Sequence, residues 1–321
     1  MPDYSVVIPL YNKGPHIERA LRSVQAQTVQ PREIIVVDDG STDGGYEWLE
    51  GLDLPNLILE RRGLPGPGGY AARNRGIELA TSEWIAFLDA DDEWRPDHLE
   101  SVTRGLAAIE QPDRVVSVFS GYEDVYADGR RSADPYTQKI GGPIGEMDFP
   151  TLLDHWVRLN ASPMWTSATV CRRTTLVESG RFPEGRCRRG GDKDTWLRVA
   201  HMGTTVYTGA ITAHYFRDSI NMTTKMAYAN VVPCIVQSTK ELSAREAGET
   251  AKRLRALQNL EIRNYALVSA RSGGLERSTW ADFDSKLDPS GGRLLSFLST
   301  PLGALAARLG FALRRIVRRY V

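Results

Sequence analysis

YSVVIPLYNKGPHIERALRSVQAQTVQPREIIVVDDG, Tyr4–Gly40, decides the fold. Its first seven residues are a short apolar run, the pattern of a strand covered on both faces. Ile17, Ala20, Leu21 and Val24 then recur at helical spacing, and Pro15 suits the first turn of that helix. EIIVVDD is a second short apolar run, stopped by Gly40. The alternation continues. NLILERR reads as a third strand, GGYAARNRGIELA as a glycine-led helix, WIAFLDADD as a fourth strand and PDHLESVTRGLAAIE as the helix after it. RVVSVFSGYEDVYADGR adds a strand with a hairpin at Asp128-Gly129. Strands that alternate with helices imply an α/β fold with a doubly wound, mostly parallel, Rossmann-like sheet. In such sheets ligands sit at the carboxyl ends of the strands.

From Gly141 the texture changes. FPTLLDHWVRL is helical, WTSATVCRR strand-like and DTWLRVAHMG helical, while TTVYTGAITAHYFR reads as two short strands. After Lys225 the pattern is mostly helical. The chain has 321 residues, of which 41% are hydrophobic and 25% charged, an ordinary globular composition. Lys plus Arg equals Asp plus Glu at 40 each, so no overall charge draws it toward nucleic acid. Three widely spaced cysteines make no disulfide framework or zinc site and point to a reducing compartment. The N-terminus is too short in apolar residues for a signal peptide, and no stretch is long and apolar enough for a membrane span. The expected location is cytoplasmic.

The fourth strand ends in an acidic crowd, Asp89-Ala90-Asp91-Asp92-Glu93. Side chains on a strand repeat direction every two residues, so Asp89 and Asp91 point the same way. Oxygen-only ligands suit Mg²⁺ or Mn²⁺. The competing reading is a solvated turn ahead of the helix at Pro96. Asp92 and Glu93 suit the N-terminal end of that helix.

VVIPLYN, IIVVDDGSTD, ARNRGIELA and WIAFLDADD occur in this order within the first 92 residues. That order resembles the inverting family 2 glycosyltransferases of GT-A fold, over about Tyr4 to Thr224. The resemblance implies a glycosyltransferase domain over 1–224, with a nucleotide-binding half at 1–122 and an acceptor-binding half at 123–224, followed by a helical extension at 225–321. It implies that Pro9, Tyr11 and Asn12 meet the donor base, with Tyr11 either stacking on it or capping the sheet end. It implies that Asp39 accepts from a uracil imide, while Asp38 is structural. Arg73 and Asn74 fall near the nucleotide, Asp89 at the ribose or the metal's water shell, and Asp91 on the metal.

Transfer with inversion needs a base to take the acceptor's proton. The family carries it in a Gly-Glu-Asp-x-Asp-x-Trp-Leu-Arg block, and this chain has GGDKDTWLR, Gly190–Arg198. Asp192 matches the base, and Asp194 suits a cap for the following helix. Gly191 stands where the family has Glu. A second departure is Ser219, near the position of a metal-binding His. His214 lies too early and reads as a buried structural residue, and Asp218 is the alternative third ligand. The loop GRFPEGRCRRGGD, Gly180–Asp192, carries four arginines. It is either a solvated basic loop or one that meets a diphosphate.

From Arg293 onward there are six arginines and no acid, and Leu305, Leu309, Leu313, Ile316 and Tyr320 form one helical stripe. Such a helix lies on an anionic membrane surface through residues 295–321 or packs on protein. The implied partners are a nucleotide-sugar donor, UDP-linked by Asp39, and a saccharide or lipid-linked saccharide acceptor in cell-envelope or extracellular polysaccharide assembly. The implied cofactor is Mn²⁺ or Mg²⁺, and the implied setting extends to the inner face of the membrane. The alternative is a non-catalytic nucleotide-sugar-binding protein. A nucleotidyltransferase would need a glycine- and lysine-rich phosphate loop after the first strand, and PLYNKG is not one.

Overall fold

A computed structural model of the chain describes residues 2–63, 69–187, 190–219, 230–272 and 274–309. The chain divides into two compact units, Met1–Asn221 and Met222–Val321. The strands of the first are β1 (Tyr4–Leu10), β2 (Glu33–Asp38), β3 (Leu57–Arg61), β4 (Trp84–Phe87), β5 (Glu93–Trp94), β6 (Val115–Val125), β7 (Arg131–Ala133), β8 (Gly145–Met147), β9 (Thr169–Arg172) and β10 (Thr204–Phe216).

Among the described residues these form one sheet in the order β3-β2-β1-β4-β9-β6-β10-β5, with β7 beside β6 and β8 beside β10. β3, β2, β1 and β4 are mutually parallel, with Val6 opposite both Ile34 and Ala86. β9 runs antiparallel between β4 and β6, and β10 returns parallel to β6. This is the doubly wound, mostly parallel α/β sheet that the alternation predicts. β1, β2 and β4 are apolar because helices cover both faces: Val6, Val7, Ile8, Ile35, Val36, Ile85, Ala86 and Phe87 are all fully buried. At about 25 cal/mol per Å² of apolar area, these side chains are the main favourable term holding the sheet.

The reading of residues 204–217 as two short strands is corrected. They form one long strand, because Gly209 at φ +73° absorbs a bulge where a turn was expected. The pairing with β6 shifts register between Tyr207 and Ile211 and then resumes. The bulge keeps both halves of β10 in the sheet, so that β5 pairs with its far end, Trp94 to Ala213 and Glu93 to His214.

The second unit contains helices Cys234–Arg245, Gly248–Ser272 and Pro289–Leu298. Val236, Ile262, Ala266, Ala270, Trp280, Phe283 and Leu295 form its core. The Asn259 side chain bonds Asp284 in both directions, donating to its carbonyl at 2.9 Å and accepting from its N–H at 2.8 Å. Leu302, Leu305 and Leu309 are more than half exposed. The rest of the expected stripe, Leu313, Ile316 and Tyr320, lies outside the described residues. Among those described, no helix is long and apolar enough to cross a membrane.

Candidate active site

Parallel strands end on one side, so the turns after β1, β2 and β4 meet there. Asn12 holds two of them together. It adopts φ +49°, its N–H donates to Ser41 Oγ at 2.9 Å, and its Oδ1 accepts from Thr42 N–H at 2.9 Å. Asp38 is buried and accepts from Ser41 N–H at 3.1 Å, shaping the turn from within. Asp39 is also buried, but its carboxylate pairs with Arg62 at 2.5 Å. Pro9 lies at the end of β1 opposite Val37. Tyr11, just past the end of β1, is 46% exposed.

The acids at the end of β4 repel one another unless offset, and each meets a different partner. Asp89 pairs with the buried guanidinium of Arg73. Asp91 pairs with Lys13 Nζ at 2.6 Å, and its backbone carbonyl accepts from Arg19 Nη2 at 2.6 Å. Asp92 is buried and accepts from Ser167 Oγ at 2.6 Å, and the Phe216 backbone also acts on its charge. Burial first, then the charges of Asp91 and Asp89, push its pKa well above the carboxylate range. Glu93 enters β5 opposite His214, whose hydrogen bond lowers its pKa against the effect of burial. The expectation that Asp92 and Glu93 serve the next helix is therefore corrected. Strand pairing draws Glu93 into the sheet and Ser167 holds Asp92, and Glu100 is the acid in that helix's first turn. Lys13, Arg19 and Arg73 offset the crowding, and burial favours the neutral form of Asp92.

Ser167 links this strand end to the second half of the unit. Its hydroxyl donates to Asp92 and accepts from Asp89 N–H at 3.0 Å. Asp218 is exposed, and both it and Asp91 act on the charge of His16, which places Asp218 in the same region. Burial and then Arg19 lower the His16 pKa against those two acids. Ser219 is buried and donates to the Phe216 carbonyl at 3.2 Å. The His214 side chain is 12% exposed between Glu93 and Glu123.

Helix Tyr70–Leu79 brings the next layer. Burial works against the Arg73 charge, but Asp89 outweighs it, with Tyr70 and Asp192 adding to the effect, and its pKa stands above the ordinary value. Asn74 commits its amide to the loop before Asp192. It donates to Phe182 O at 3.1 Å and Glu184 Oε2 at 3.2 Å, and accepts from Phe182 N–H at 2.9 Å. Glu184 also lies 3.7 Å from Arg62, the partner of Asp39. The first half of this arginine-rich loop is thus anchored, with Phe182 buried; Arg188 and Arg189 lie outside the described residues.

Helix Gly191–Ala200 follows Gly190, which stands at φ +74°. Asp192 is half-buried in its first turn, and no hydrogen bond or ion pair to it occurs among the described residues. Asp194, read as a cap, instead pairs one turn on with Arg198 at 2.8 Å. Arg198 bonds the carbonyls of Ser179 and Arg181, so this pair braces the loop from below. Asp89 and Asp192 both act on Arg73, and the site they define is built from β4 and from this helix.

Sequence reasoning missed Lys13, Arg19, Arg62, Tyr70 and Ser167. Lys13 and Arg62 sit just past β1 and β3, where strand-end position was the available signal. Ser167 and Tyr70 carried no local signal.

The family model described as Glycosyl transferase family 2 matches residues 5–178. The amylovoran biosynthesis glycosyltransferase AmsB of Erwinia amylovora is 39% identical over 125 residues, 36% of this chain and 40% of that protein. The succinoglycan biosynthesis protein ExoW of Rhizobium meliloti is 43% identical over 192 residues, 57% of this chain and 58% of that one. The chain thus matches well under two thirds of these relatives' length. Among solved structures, S. aureus TarS 1-349 in complex with UDP-GlcNAc superimposes with a TM-score of 0.66 at 17% identity, covering 96% of this chain and 88% of that one. This similarity concerns the fold.

Proposed function

The chain belongs to glycosyl transferase family 2, and from that premise we propose that it is an inverting glycosyltransferase taking a sugar from a UDP-linked donor to an acceptor hydroxyl. The observation that carries the reading is the position of Arg73, held by Asp89 from the donor side and acted on by Asp192 from the other.

In this reading Asp192 accepts the acceptor's proton as the hydroxyl oxygen attacks the anomeric carbon. The bond from that carbon to the diphosphate oxygen breaks, and its electron pair leaves with the diphosphate. Tyr11 offers an exposed ring to the base, beside Pro9 and Asn12. Asp39 accepts from the uracil imide while sharing Arg62. Arg73 and Asn74 frame the nucleotide indirectly, Asn74 by holding the loop at Phe182. Asp89 and Asp91 form an oxygen donor pair whose chemistry fits Mg²⁺ or Mn²⁺, although no cluster of three His, Cys, Asp or Glu ligands exists among the described residues. A divalent ion held there would offset charge on the diphosphate. Lys13, at 2.6 Å from Asp91, sets a protein cation at the same place.

The names of the relatives support a role in polysaccharide biosynthesis; the reading adds a saccharide or lipid-linked saccharide acceptor in cell-envelope or extracellular polysaccharide assembly. Residues 1–224 would form the transferase domain and 225–321 its extension, working in the cytoplasm with residues 295–321 against the inner face of the membrane.

The test is a melting-temperature panel of UDP, GDP, CMP and dTDP with and without Mn²⁺, followed by UDP release from UDP-sugars. UDP should raise the melting temperature more than the other nucleotides. Equal turnover by the wild type and Asp192→Asn would remove Asp192 from the mechanism, and no UDP release from any donor would remove the transferase reading.

A further inference from the structure

Gly191 departs from its family's glutamate, and the structure shows what fills the space. A Cβ built at Gly191 would lie 2.7 Å from Tyr70 Cζ and 2.8 Å from Pro183 Cγ, distances at which no side chain fits. Tyr70 is 4% exposed. Its ring lies parallel to Phe182, with centroids 6.1 Å apart, and Phe182 is itself pinned through its backbone by Asn74. The Tyr70 hydroxyl accepts the Gly191 N–H at 2.9 Å. That N–H is one of those a helix leaves unsatisfied in its first turn, and the next residue is Asp192.

We propose that Tyr70 is the positioning residue for Asp192, and that glycine at 191 is the condition for it. The proposal rests on the reading of Asp192 as the base. The phenol fixes the first turn that carries Asp192 at the backbone N–H of the preceding residue. Having accepted the Gly191 N–H, the phenol keeps its own proton to donate. Burial, with Asp192's charge next, raises the Tyr70 pKa and keeps that proton in place. Tyr70 and Gly191 are 121 residues apart, and neither is informative alone. A glutamate at 191 and a tyrosine at 70 exclude one another sterically, so the missing acid marks a different way of holding the same base.

UDP release from UDP-GlcNAc, UDP-glucose and UDP-galactose, with water as acceptor, tests this without a known acceptor. Tyr70→Phe keeps the ring and removes the hydroxyl. It should lower kcat about tenfold with donor KM unchanged, the factor supplied by one hydrogen bond of ordinary strength. Gly191→Ala should be severe in the wild type and milder in a Tyr70→Ala background, where the ring is gone and only the Pro183 contact remains. A Tyr70→Phe protein with wild-type kcat, or a Gly191→Ala loss of equal factor in both backgrounds, overturns the proposal. If the wild type and the Asp192→Asn control turn over equally, the underlying reading falls and this proposal falls with it. If Asp192→Asn is inactive and Tyr70→Phe is unchanged, only the role of Tyr70 falls.

Discussion

The two sides of the candidate site treat their carboxylates in opposite ways. On the donor side four acids meet cations: Asp38 lies 3.4 Å from Arg61, Asp39 pairs with Arg62, Asp89 with Arg73 and Asp91 with Lys13, while Asp92 is buried against Ser167. On the other side Asp192 has no cation bonded to it among the described residues, while its neighbour Asp194 is tied to Arg198. A carboxylate held by a cation is a fixed structural charge and a poor proton acceptor. One without such a partner is available to take a proton. The cations on the donor side also prepare the site for a polyanion, since a diphosphate entering there meets Lys13 and Arg73 as well as acids. In the proposed reading, the difference separates holding the donor from activating the acceptor.

The largest effect should come from Asp192. Asp192→Asn keeps shape and removes the base, so kcat should fall about 10³-fold, with UDP binding measured by melting temperature unchanged. Loss of UDP binding in that variant would break the division between the two sides. Asp91→Asn should do the reverse, weakening UDP-stabilisation in Mn²⁺ and turnover together by about 10²-fold, since it touches the donor side only.

The scaffold predictions are smaller. Asn74→Ala leaves the Phe182 backbone groups unpaired in the interior and should destabilise by about 2 kcal/mol in urea unfolding. Because the same loop leads to Asp192, kcat should fall more than donor affinity. His98 sharpens the comparison from outside the site. It is buried against Trp94, with ring centroids 4.2 Å apart, its Nδ1 is 2.7 Å from Thr212 Oγ1, and burial lowers its pKa to about 3. The unfolded His binds a proton below its ordinary pKa near 6.5, whereas the folded one stays neutral down to about 3. Stability is therefore present above pH 6.5 and is lost as pH falls, by about 2 kcal/mol at pH 5 from this group. His98→Gln should flatten that part of a plot of melting temperature against pH. An unchanged slope would assign the acid sensitivity to other groups.

Much of the fold was legible because period and punctuation are local. Ile17, Ala20, Leu21 and Val24 are buried on one helix face, and the runs in β1, β2 and β4 are covered on both sides. The exceptions were also local in appearance. Residues 204–217 read as two strands, but a glycine at positive φ, Gly209, lets one strand continue through a bulge, with pairing kept at Tyr207 and resumed at Ile211. Asp92 read as a helix-end acid, but pairing of Glu93 and Trp94 with β10 turned it inward to Ser167. Asp194 read as a cap because of its place in the first turn, and Arg198 one turn later claimed it.

By itself the sequence determined the parallel sheet, the side on which its turns gather, and the supply of acids at those turns. These depend on side-chain period and strand direction, which neighbouring residues specify. Only the tertiary structure decided which acids meet a cation, which one is left without one among the described residues, and what fills the space beside Gly191. Those outcomes depend on groups from 16 to 121 residues apart meeting within hydrogen-bond distance, and no local pattern encodes such a meeting.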